Sequence, residues 1–470
     1  MGLSLYEKVF RSHFVRPLDG DYYQLFVGLH LVHEATSPQA FAMLRERGLR
    51  VLFPEMTACT ADHVVPSRSR TRPYANARAE ALVAELERNV TDFGLPYFAP
   101  GSGRQGISHV MALELGLVQP GMTIACGDSH TCTHGACGAI AFGIGATQVR
   151  DVLATQTVAV PKLAVRRIEI EGTLSPGVEA KDLILTVINR LGTDGGLGYA
   201  YEFAGEAVEA LSMEERATVC NMTVEGGAQV GYVNPDQVTC GYLLGRPFAR
   251  AVSEQEATEA WLEVRSDQDA CYDDRVYFHA DEIEPIVTWG VTPSQSVGVT
   301  GRTPSPASFP AEERAAVEDA YEYMGLSAEE PVLGLPIDVA FIGSCANGRI
   351  SDIARVARLV GAANTKVAPS VRALVVPASE QVWTDMTRLG YTDVLLEAGF
   401  EVGAPGCSMC VGVNGDALMG RQICASSSPR NFKGRQGSPV GRTLLMSPTM
   451  VAAAALAGEV VDARQLSVSA

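Results

Sequence analysis

Two cysteine-bearing segments in the last third of the chain place the strongest constraint on its fold. Cys345 lies three residues after the apolar run Pro336–Ile342, and Cys407 and Cys410 follow Phe400–Val402. Both runs are short and apolar, which predicts strands, and the apolar spacing after the first cysteine predicts a helix. Open α/β folds place their sites at the carboxyl edge of the sheet. We therefore expect the two cysteine loops to meet at one sheet edge.

Three cysteines form an incomplete ligand set. A structural zinc ion takes four protein ligands, and a cubane cluster held by four thiolates has no open position. Three thiolates therefore indicate a metal centre that keeps one position for a substrate. Two alternatives remain at this point: a redox-active pair formed by Cys407 and Cys410, and a zinc site with Cys424 as the fourth ligand.

The residues around these cysteines alternate between strand and helix patterns. The predicted order is strand 336–343, helix 351–361, strand 371–376, helix 379–389 and a strand near residue 400. Such alternation predicts an α/β fold whose parallel sheet is covered on both faces. Near residue 163 the pattern changes to a strand of alternating charged and apolar residues, and residues 301–313 form a linker rich in Pro and Ser. These two features divide the chain into three predicted domains, 1–162, 163–300 and 301–470.

Composition excludes several classes of partner. The formal net charge of -17 opposes a surface for nucleic acid or anionic membrane. No apolar run reaches the roughly 18 residues of a membrane span, and no signal peptide is visible, so we expect a cytoplasmic protein. Eleven cysteines, an odd number spread through a long chain, do not form the pattern of a secreted disulfide framework.

Polar motifs in the first half supply candidate catalytic residues. Gln39 falls in the first turn of a predicted helix that begins at Pro38. Asp62 and His63 are adjacent, and a carboxylate beside an imidazole fixes its tautomer and raises its basicity. His109 follows a glycine-rich segment, where the backbone can approach a ligand closely.

The densest polar passage follows a predicted strand that ends at Gly127. It delivers Asp128, Ser129 and His130 consecutively at a sharp turn. A zinc site is an alternative here, because two histidines and two cysteines lie within eight residues: His130, Cys132, His134 and Cys137. Further along the chain, Asn221 and Glu225 share a helix face if the helix before them continues.

A basic loop follows the cysteines. This loop places three basic residues within a stretch of six that contains a glycine: Arg430, Lys433 and Arg435. Arginine binds carboxylates through two parallel hydrogen bonds, so in an acidic protein this loop predicts a clamp for a carboxylate substrate. The alternative is a solvated basic loop.

Together these motifs resemble the aconitase superfamily, and within it the family of large subunits of 3-isopropylmalate dehydratase. The resemblance runs from Leu5 to the end of the chain. The segments that carry it are Leu31–Phe41, Gly127–Gly135, Ala154–Gln156, Cys220–Met222, Thr288–Gly290, Gly406–Cys410 and Gly434–Gly437. The resemblance implies an aconitase-like α/β fold of three α/β/α domains, with mixed or parallel sheets, around a central [4Fe-4S] cleft.

The resemblance also implies roles for individual residues. Cys345, Cys407 and Cys410 would hold a [4Fe-4S] cluster whose fourth iron binds the substrate, with Asn221 and Asn347 beside the cluster. The residues implied to contact the substrate are Gln39, Ser129, Arg430 and Arg435. The implied acid–imidazole pairs are Asp62 with His63, Asp128 with His109, and Glu225 with His130.

The implied activity is that of a hydro-lyase. It would isomerise 2-isopropylmalate to 3-isopropylmalate by dehydration and rehydration, a step of leucine biosynthesis. Departures from the family pattern at Ala346, Gly348, Pro429 and Lys433 leave a second hypothesis open, an isomerase of another 2-substituted malate or of a homoaconitate-type acid. A non-catalytic iron-sensing or RNA-binding relative is a third.

The resemblance further implies a partner. In single-chain relatives a further domain brings the serine that removes the carbon-bound proton, and nothing after Gly458 matches it. We therefore expect a smaller second subunit, in a heterodimer or heterotetramer, to complete the active site.

Overall fold

The computed structural model describes residues 2–249 and 253–466. The strands of this part are β1 Phe14–Pro17, β2 Tyr22–Phe26, β3 Leu29–His33, β4 Thr57–Thr60, β5 Tyr97–Phe98, β6 Thr123–Cys126, β7 Ile140–Gly143, β8 Thr157–Pro161, β9 Ala164–Glu171, β10 Tyr199–Ala204, β11 Val230–Val233, β12 Asp274–His279, β13 Ile286–Thr288, β14 Ser296–Gly298, β15 Val339–Ile342, β16 Arg372–Val375, β17 Glu401–Val402, β18 Ile423–Ser426 and β19 Arg442–Leu445.

The helices fall between these strands. They are α1 Leu5–His13, α2 Pro38–Glu46, α3 Ala77–Phe93, α4 Ser108–Glu114, α5 Ala146–Thr155, α6 Ala180–Leu191, α7 Glu206–Glu209, α8 Met213–Asn221, α9 Gln237–Leu243, α10 Glu254–Glu263, α11 Arg314–Met324, α12 Ser344–Asn347, α13 Ile350–Ala363, α14 Glu380–Arg388, α15 Tyr391–Ala398, α16 Pro448–Ala457 and α17 Ala463–Leu466. The longest is α3, with 17 residues. No helix in the described ranges combines the length and the apolar character that a bilayer crossing requires.

The chain divides into two compact units. Unit 1 comprises the chain up to Val64, Thr71–Thr173 and Gly196–His279, and unit 2 comprises Val65–Arg70, Leu174–Gly195 and the chain from Ala280 onward. The domain boundaries predicted near residues 162 and 300 stay a prediction.

Unit 1 contains two parallel sheets and a small antiparallel one. The five-stranded sheet has the order β5-β4-β3-β6-β7, the four-stranded sheet has the order β11-β10-β9-β12, and both are parallel throughout. Every residue of the central strand β3 is buried, as expected for a parallel strand covered on both faces. Its register opposite β4 and β6 brings the carboxyl ends of the three strands to one edge.

Unit 2 is built on a third parallel sheet, with the order β17-β16-β15-β18-β19. Its core joins strand residues such as Ile342 to helix residues such as Val356 and Met386. The alanine-rich α16 is buried on nearly every side, because small side chains let it lie close to its neighbours. The alternation predicted between residues 336 and 400 is present, with β15, α13, β16, α14 and β17 each within three residues of the predicted bounds. The predicted α/β class with parallel sheets is confirmed.

Candidate active site

The carboxyl edge of the five-stranded sheet in unit 1 delivers a group of acids and imidazoles. Glu34 follows β3 directly, Asp62 and His63 follow β4, and Asp128 follows β6. Because these strands are parallel neighbours, residues far apart in sequence leave the sheet side by side. Strand order therefore explains why these side chains meet.

Asp128 lies at the centre of this group. Its Oδ2 is 3.2 Å from His63 Nε2, and its Oδ1 is 3.1 Å from His109 Nε2 and accepts a hydrogen bond of 2.7 Å from the backbone N–H of His130. On the other side of His63, Nδ1 lies 2.5 Å from Asp62 Oδ1. Asp128 thus contacts three histidines, whereas the family resemblance pairs each of them with a separate acid.

The other predicted pair also forms. His130 Nε2 lies 2.9 Å from Glu225 Oε1. Asn221 donates from Nδ2 to Thr133 Oγ1 at 2.8 Å. The helix before them does not continue as predicted, since α8 ends at Asn221 and a 3₁₀ turn, Met222–Gly226, follows. Glu225 reaches its histidine from that turn.

Two further predicted substrate residues belong to unit 1. Gln39 lies exposed in the first turn of α2, which begins at Pro38 as predicted. Ser129 lies half-buried at the start of the 3₁₀ segment Ser129–Cys137. Their roles as substrate contacts stay predictions.

Opposing effects set the charge of the Asp62–His63–Asp128 group. Burial acts to lower the pKa of His63, but the charges of Asp62 and Asp128 and their hydrogen bonds outweigh it and raise this pKa well above 6.5. Burial likewise acts to raise the pKa values of both carboxyls, whereas the neighbouring imidazoles, chiefly His63 for Asp62 and His109 for Asp128, hold them below their usual range. His63 is therefore an imidazolium held between two carboxylates at neutral pH.

Sequence patterns did not identify Glu34 as part of this site. Its carboxylate is fully buried and accepts three backbone N–H bonds, from Asp62 at 3.1 Å, His63 at 2.7 Å and Val64 at 2.8 Å. Ligand atoms of His33, Glu34, Asp62 and His63 lie within 4.8 Å of one another. Both carboxylate oxygens of Glu34, however, accept hydrogen bonds from backbone N–H groups. The sequence feature that could have identified Glu34 is its position directly after the predicted apolar strand. Glu34 fixes the turn that presents Asp62 and His63.

The three predicted cluster cysteines belong to unit 2. Cys345 lies in α12, shortly after β15, while Cys407 and Cys410 lie around the 3₁₀ turn Ser408–Cys410 that follows β17. All three are buried and none is in a disulfide. Ser344 and Ser408, with φ of 85° and 47°, adopt the left-handed backbone that glycine favours, which marks both cysteine turns as constrained.

The spacing of the thiols argues against a single zinc ion. Sulfurs on one tetrahedral zinc lie about 3.8 Å apart, given a Zn–S distance of about 2.3 Å. Within residues 2–249 and 253–466, these three cysteines form no group with all ligand atoms inside 4.8 Å. A multi-iron cluster distributes its thiolates over several metal atoms, so this wider, buried, non-disulfide set fits such a cluster.

The alternative metal ligands have other roles. Cys424 lies buried within β18, where burial raises the pKa of its thiol to about 12. Burial also raises the pKa of Cys137 to about 12, and Cys132 donates from Sγ to the carbonyl of Asn221 at 3.4 Å. In the described part of the chain His130, Cys132, His134 and Cys137 form no close ligand group. These cysteines are buried core residues.

The basic loop lies near the cysteines of unit 2. Arg435 donates from Nη2 to Cys410 Sγ at 3.7 Å, and its guanidinium carbon lies 5.5 Å from the ring centre of Phe432. Arg430 is half-buried. Lys433, by contrast, is exposed and pairs with Asp319 at 2.7 Å. Lys433 therefore forms a surface ion pair, whereas Arg435 contacts a cysteine.

Two buried cations near the cysteines were not identified from the sequence. Lys181, fully buried on α6, donates to the carbonyls of Ser427 and Ser428. Arg349 donates to the carbonyls of Cys345 at 2.5 Å and Ala346 at 2.7 Å. Nearby, Asn347 Nδ2 donates to Asp352 Oδ1 at 3.2 Å. The sequence pattern that could have identified Lys181 as buried is its position on the apolar face of the predicted helix, which it shares with Ile184, Leu185 and Ile188.

Parallel α/β sheets and an imidazolium held between carboxylates define a class of acid–base enzyme, and unit 2 separately carries three buried thiols and two arginines. The model of the aconitase family (aconitate hydratase) matches residues 7–458. The chain belongs to the aconitase family. The predicted hydro-lyase class is confirmed by this membership.

Curated relatives match along the whole chain. The 3-isopropylmalate dehydratase large subunit of Synechococcus sp. (strain JA-3-3Ab) is 59% identical over 464 residues, 98% of this chain and 99% of that protein. The protein of the same name from Thermus thermophilus is 57% identical over 467 residues, 99% of this chain and 98% of that protein. A solved structure, aconitase X of Thermococcus kodakaraensis in its holo-form, has a TM-score of 0.47 and 13% identity over 90% of this chain and 89% of that one.

Proposed function

We propose that the chain is the cluster-bearing large subunit of a 3-isopropylmalate dehydratase. It isomerises 2-isopropylmalate to 3-isopropylmalate by dehydration and rehydration, in the leucine biosynthesis of the cytoplasm. The observation that carries this proposal is the 57–59% identity to large subunits of that name over 98–99% of the chain. The acid–imidazole group of unit 1 supports the same chemistry, because dehydration requires both an acid and a base.

The proposed cofactor is a [4Fe-4S] cluster. Cys345, Cys407 and Cys410 would hold it, since they are buried, not in disulfides and spaced too widely for one zinc ion. When bound, such a cluster supplies a Lewis acid that polarises the hydroxyl leaving the substrate. Arg435, which already contacts Cys410 Sγ, would place a substrate carboxylate beside it, and Arg430 would supply a second fork.

His63 is the proposed acid. Its Nδ1 is held at 2.5 Å by Asp62, whereas Nε2 makes the longer contact of 3.2 Å with Asp128. The proton on Nε2 is therefore the one more free to move to a departing hydroxyl. His109 and His130 lie 3.1 and 3.4 Å from Asp128 Oδ1 and would hold this carboxylate in place beside His63.

We expect the substitution Asp62→Asn to shift the pH profile of kcat/KM. Asp62 is one of the charges that raise the pKa of His63, so the protonated form now persists above pH 6.5 and is lost only as pH rises through the raised value. Without that charge the alkaline limb should move to lower pH by about one unit or more. Asp92→Asn, which alters an exposed ion pair in the same unit, is the control. An alkaline limb that does not move would remove Asp62 from this role.

The proposed partner is a smaller second subunit. The relatives are named as large subunits, and this chain covers 99% and 98% of their length. We expect the cluster-loaded chain alone to dehydrate 2-isopropylmalate at less than about one hundredth of the rate reached with a co-expressed second subunit, since a site lacking one catalytic group loses at least this much. Steady-state turnover of both preparations, at equal iron content, tests the proposal. Comparable rates would contradict it.

A further inference from the structure

Lys181 is a buried cation with an unusual environment. Its side chain is fully buried on α6, on the helix face it shares with Ile184 and Leu185. Its Nζ donates to the carbonyl oxygens of Ser427 at 2.5 Å and Ser428 at 2.6 Å. Such short contacts are typical of a charged donor. Both carbonyls immediately precede the segment that carries Arg430.

This ammonium has no ion-pair partner among the described residues. Arg216, another fully buried cation, pairs with Asp236 at 2.6 Å, whereas no carboxylate of the described ranges comes within ion-pair distance of Lys181 Nζ. Asp182 acts on Lys181 electrostatically, but its oxygens accept hydrogen bonds from the backbone N–H groups of Glu179 and Ile286. An unpaired buried charge costs several kcal/mol, which is why burial lowers the pKa of Lys181 to about 7. A charged ammonium here therefore needs another negative group.

The cysteines of unit 2 are the candidate for this negative group. Ser427, whose carbonyl Lys181 binds, also accepts at Oγ a hydrogen bond of 3.0 Å from the backbone N–H of Gly343, two residues before Cys345. Lys181 is thus joined to a cysteine turn through one residue, and Cys410 and Cys345 are close enough to act on it electrostatically. Arg349 brings a second buried cation to the same region through its hydrogen bonds to the carbonyls of Cys345 and Ala346. Three thiolates outnumber the positive charges of a resting cubane core, so a cluster bound there is anionic.

We infer that Lys181 is a positioning residue that balances the negative charge of the thiolate-bound cluster and holds the Ser427–Ser428 backbone that leads into the arginine loop. This inference rests on the proposed iron–sulfur cofactor. Helix α6 carries none of the predicted site residues. Through Lys181 it would nevertheless affect the stability and the redox potential of the cluster directly.

The test uses Lys181→Gln and Lys181→Met in the full chain, with Lys366→Gln, an exposed lysine of the same unit, as the control. Glutamine keeps an N–H donor for the carbonyls but removes the charge, whereas methionine removes both. After anaerobic cluster loading, iron release to a chelator should be about tenfold faster or more in both variants. Their cluster midpoint potential should shift to more negative values, because a nearby positive charge favours the reduced, more negative cluster.

The outcomes separate charge from structure. Wild-type-like release and potential in Lys181→Gln would overturn the inference, because the donor alone would then suffice. A Lys181→Gln chain that fails to fold before loading, judged by circular dichroism, would also overturn it and make Lys181 a structural residue. Wild-type chain that binds no iron would instead remove the proposed cofactor, and the inference with it.

Discussion

Serine at Cys345, Cys407 or Cys410 is expected to reduce the iron content of the anaerobically loaded chain to background. Each substitution removes one of three thiolates, and a cluster with one open position has no spare ligand. The thiols are buried and spaced too widely for one zinc ion, so the same variants should not acquire stoichiometric zinc instead. Iron, sulfide and zinc analysis of each purified variant measures both expectations.

Two matched controls accompany this series. Cys424→Ala removes a buried thiol of the same sheet, and Cys271→Ser removes an exposed one of unit 1. Because burial keeps Cys424 protonated, its loss should leave the iron content unchanged. Loss of iron from Cys424→Ala would make Cys424 a fourth cluster ligand and contradict the open three-cysteine set. One zinc per chain in the wild type would instead support the zinc alternative.

Arg435→Lys is expected to lower kcat/KM for the substituted malate about 100-fold or more, which corresponds to ~2.7 kcal/mol of transition-state stabilisation. Arg435 reaches Cys410 Sγ with one nitrogen of its planar group, which places the guanidinium fork beside the cysteine loop. A lysine supplies a point charge and cannot make two parallel hydrogen bonds. Steady-state kinetics at matched iron content measures this loss.

The control for that prediction is Arg358→Lys, an exposed arginine of α13 in the same unit. It should behave as the wild type does. If Arg435→Lys instead loses iron in proportion to activity, the side chain stabilises the cysteine loop and does not bind the substrate.

Much of the fold could be predicted because the necessary signals are local. Apolar runs such as Val339–Ile342 and the helical spacing of α13 are complete within a short stretch of chain, and each lies close to its predicted position. The pair of Asp62 with His63 is visible as adjacent residues, whereas the pairs of Asp128 with His109 and of Glu225 with His130 could be inferred only through the family resemblance. The structure supplies their physical basis, since β4 and β6 flank β3 in one parallel sheet.

Other parts of the site could not be predicted from sequence patterns. Lys181 binds carbonyls that lie 246 and 247 residues further along the chain, and Glu34 binds backbone N–H groups 28 to 30 residues away. Backbone acceptors and donors are the same at every position, so no residue type marks them in a sequence. The sharing of Asp128 among three histidines also depends on strand order, which a motif does not record.

The proposed substrate of this chain, loaded with the proposed cluster, is 2-isopropylmalate. The most direct measurement is a competition in which the cluster-loaded chain, with its second subunit, receives equimolar 2-isopropylmalate and other 2-alkylmalates. We expect the highest kcat/KM for 2-isopropylmalate, with 3-isopropylmalate as the product. A preference for another 2-substituted malate, or for a homoaconitate-type acid, would contradict it.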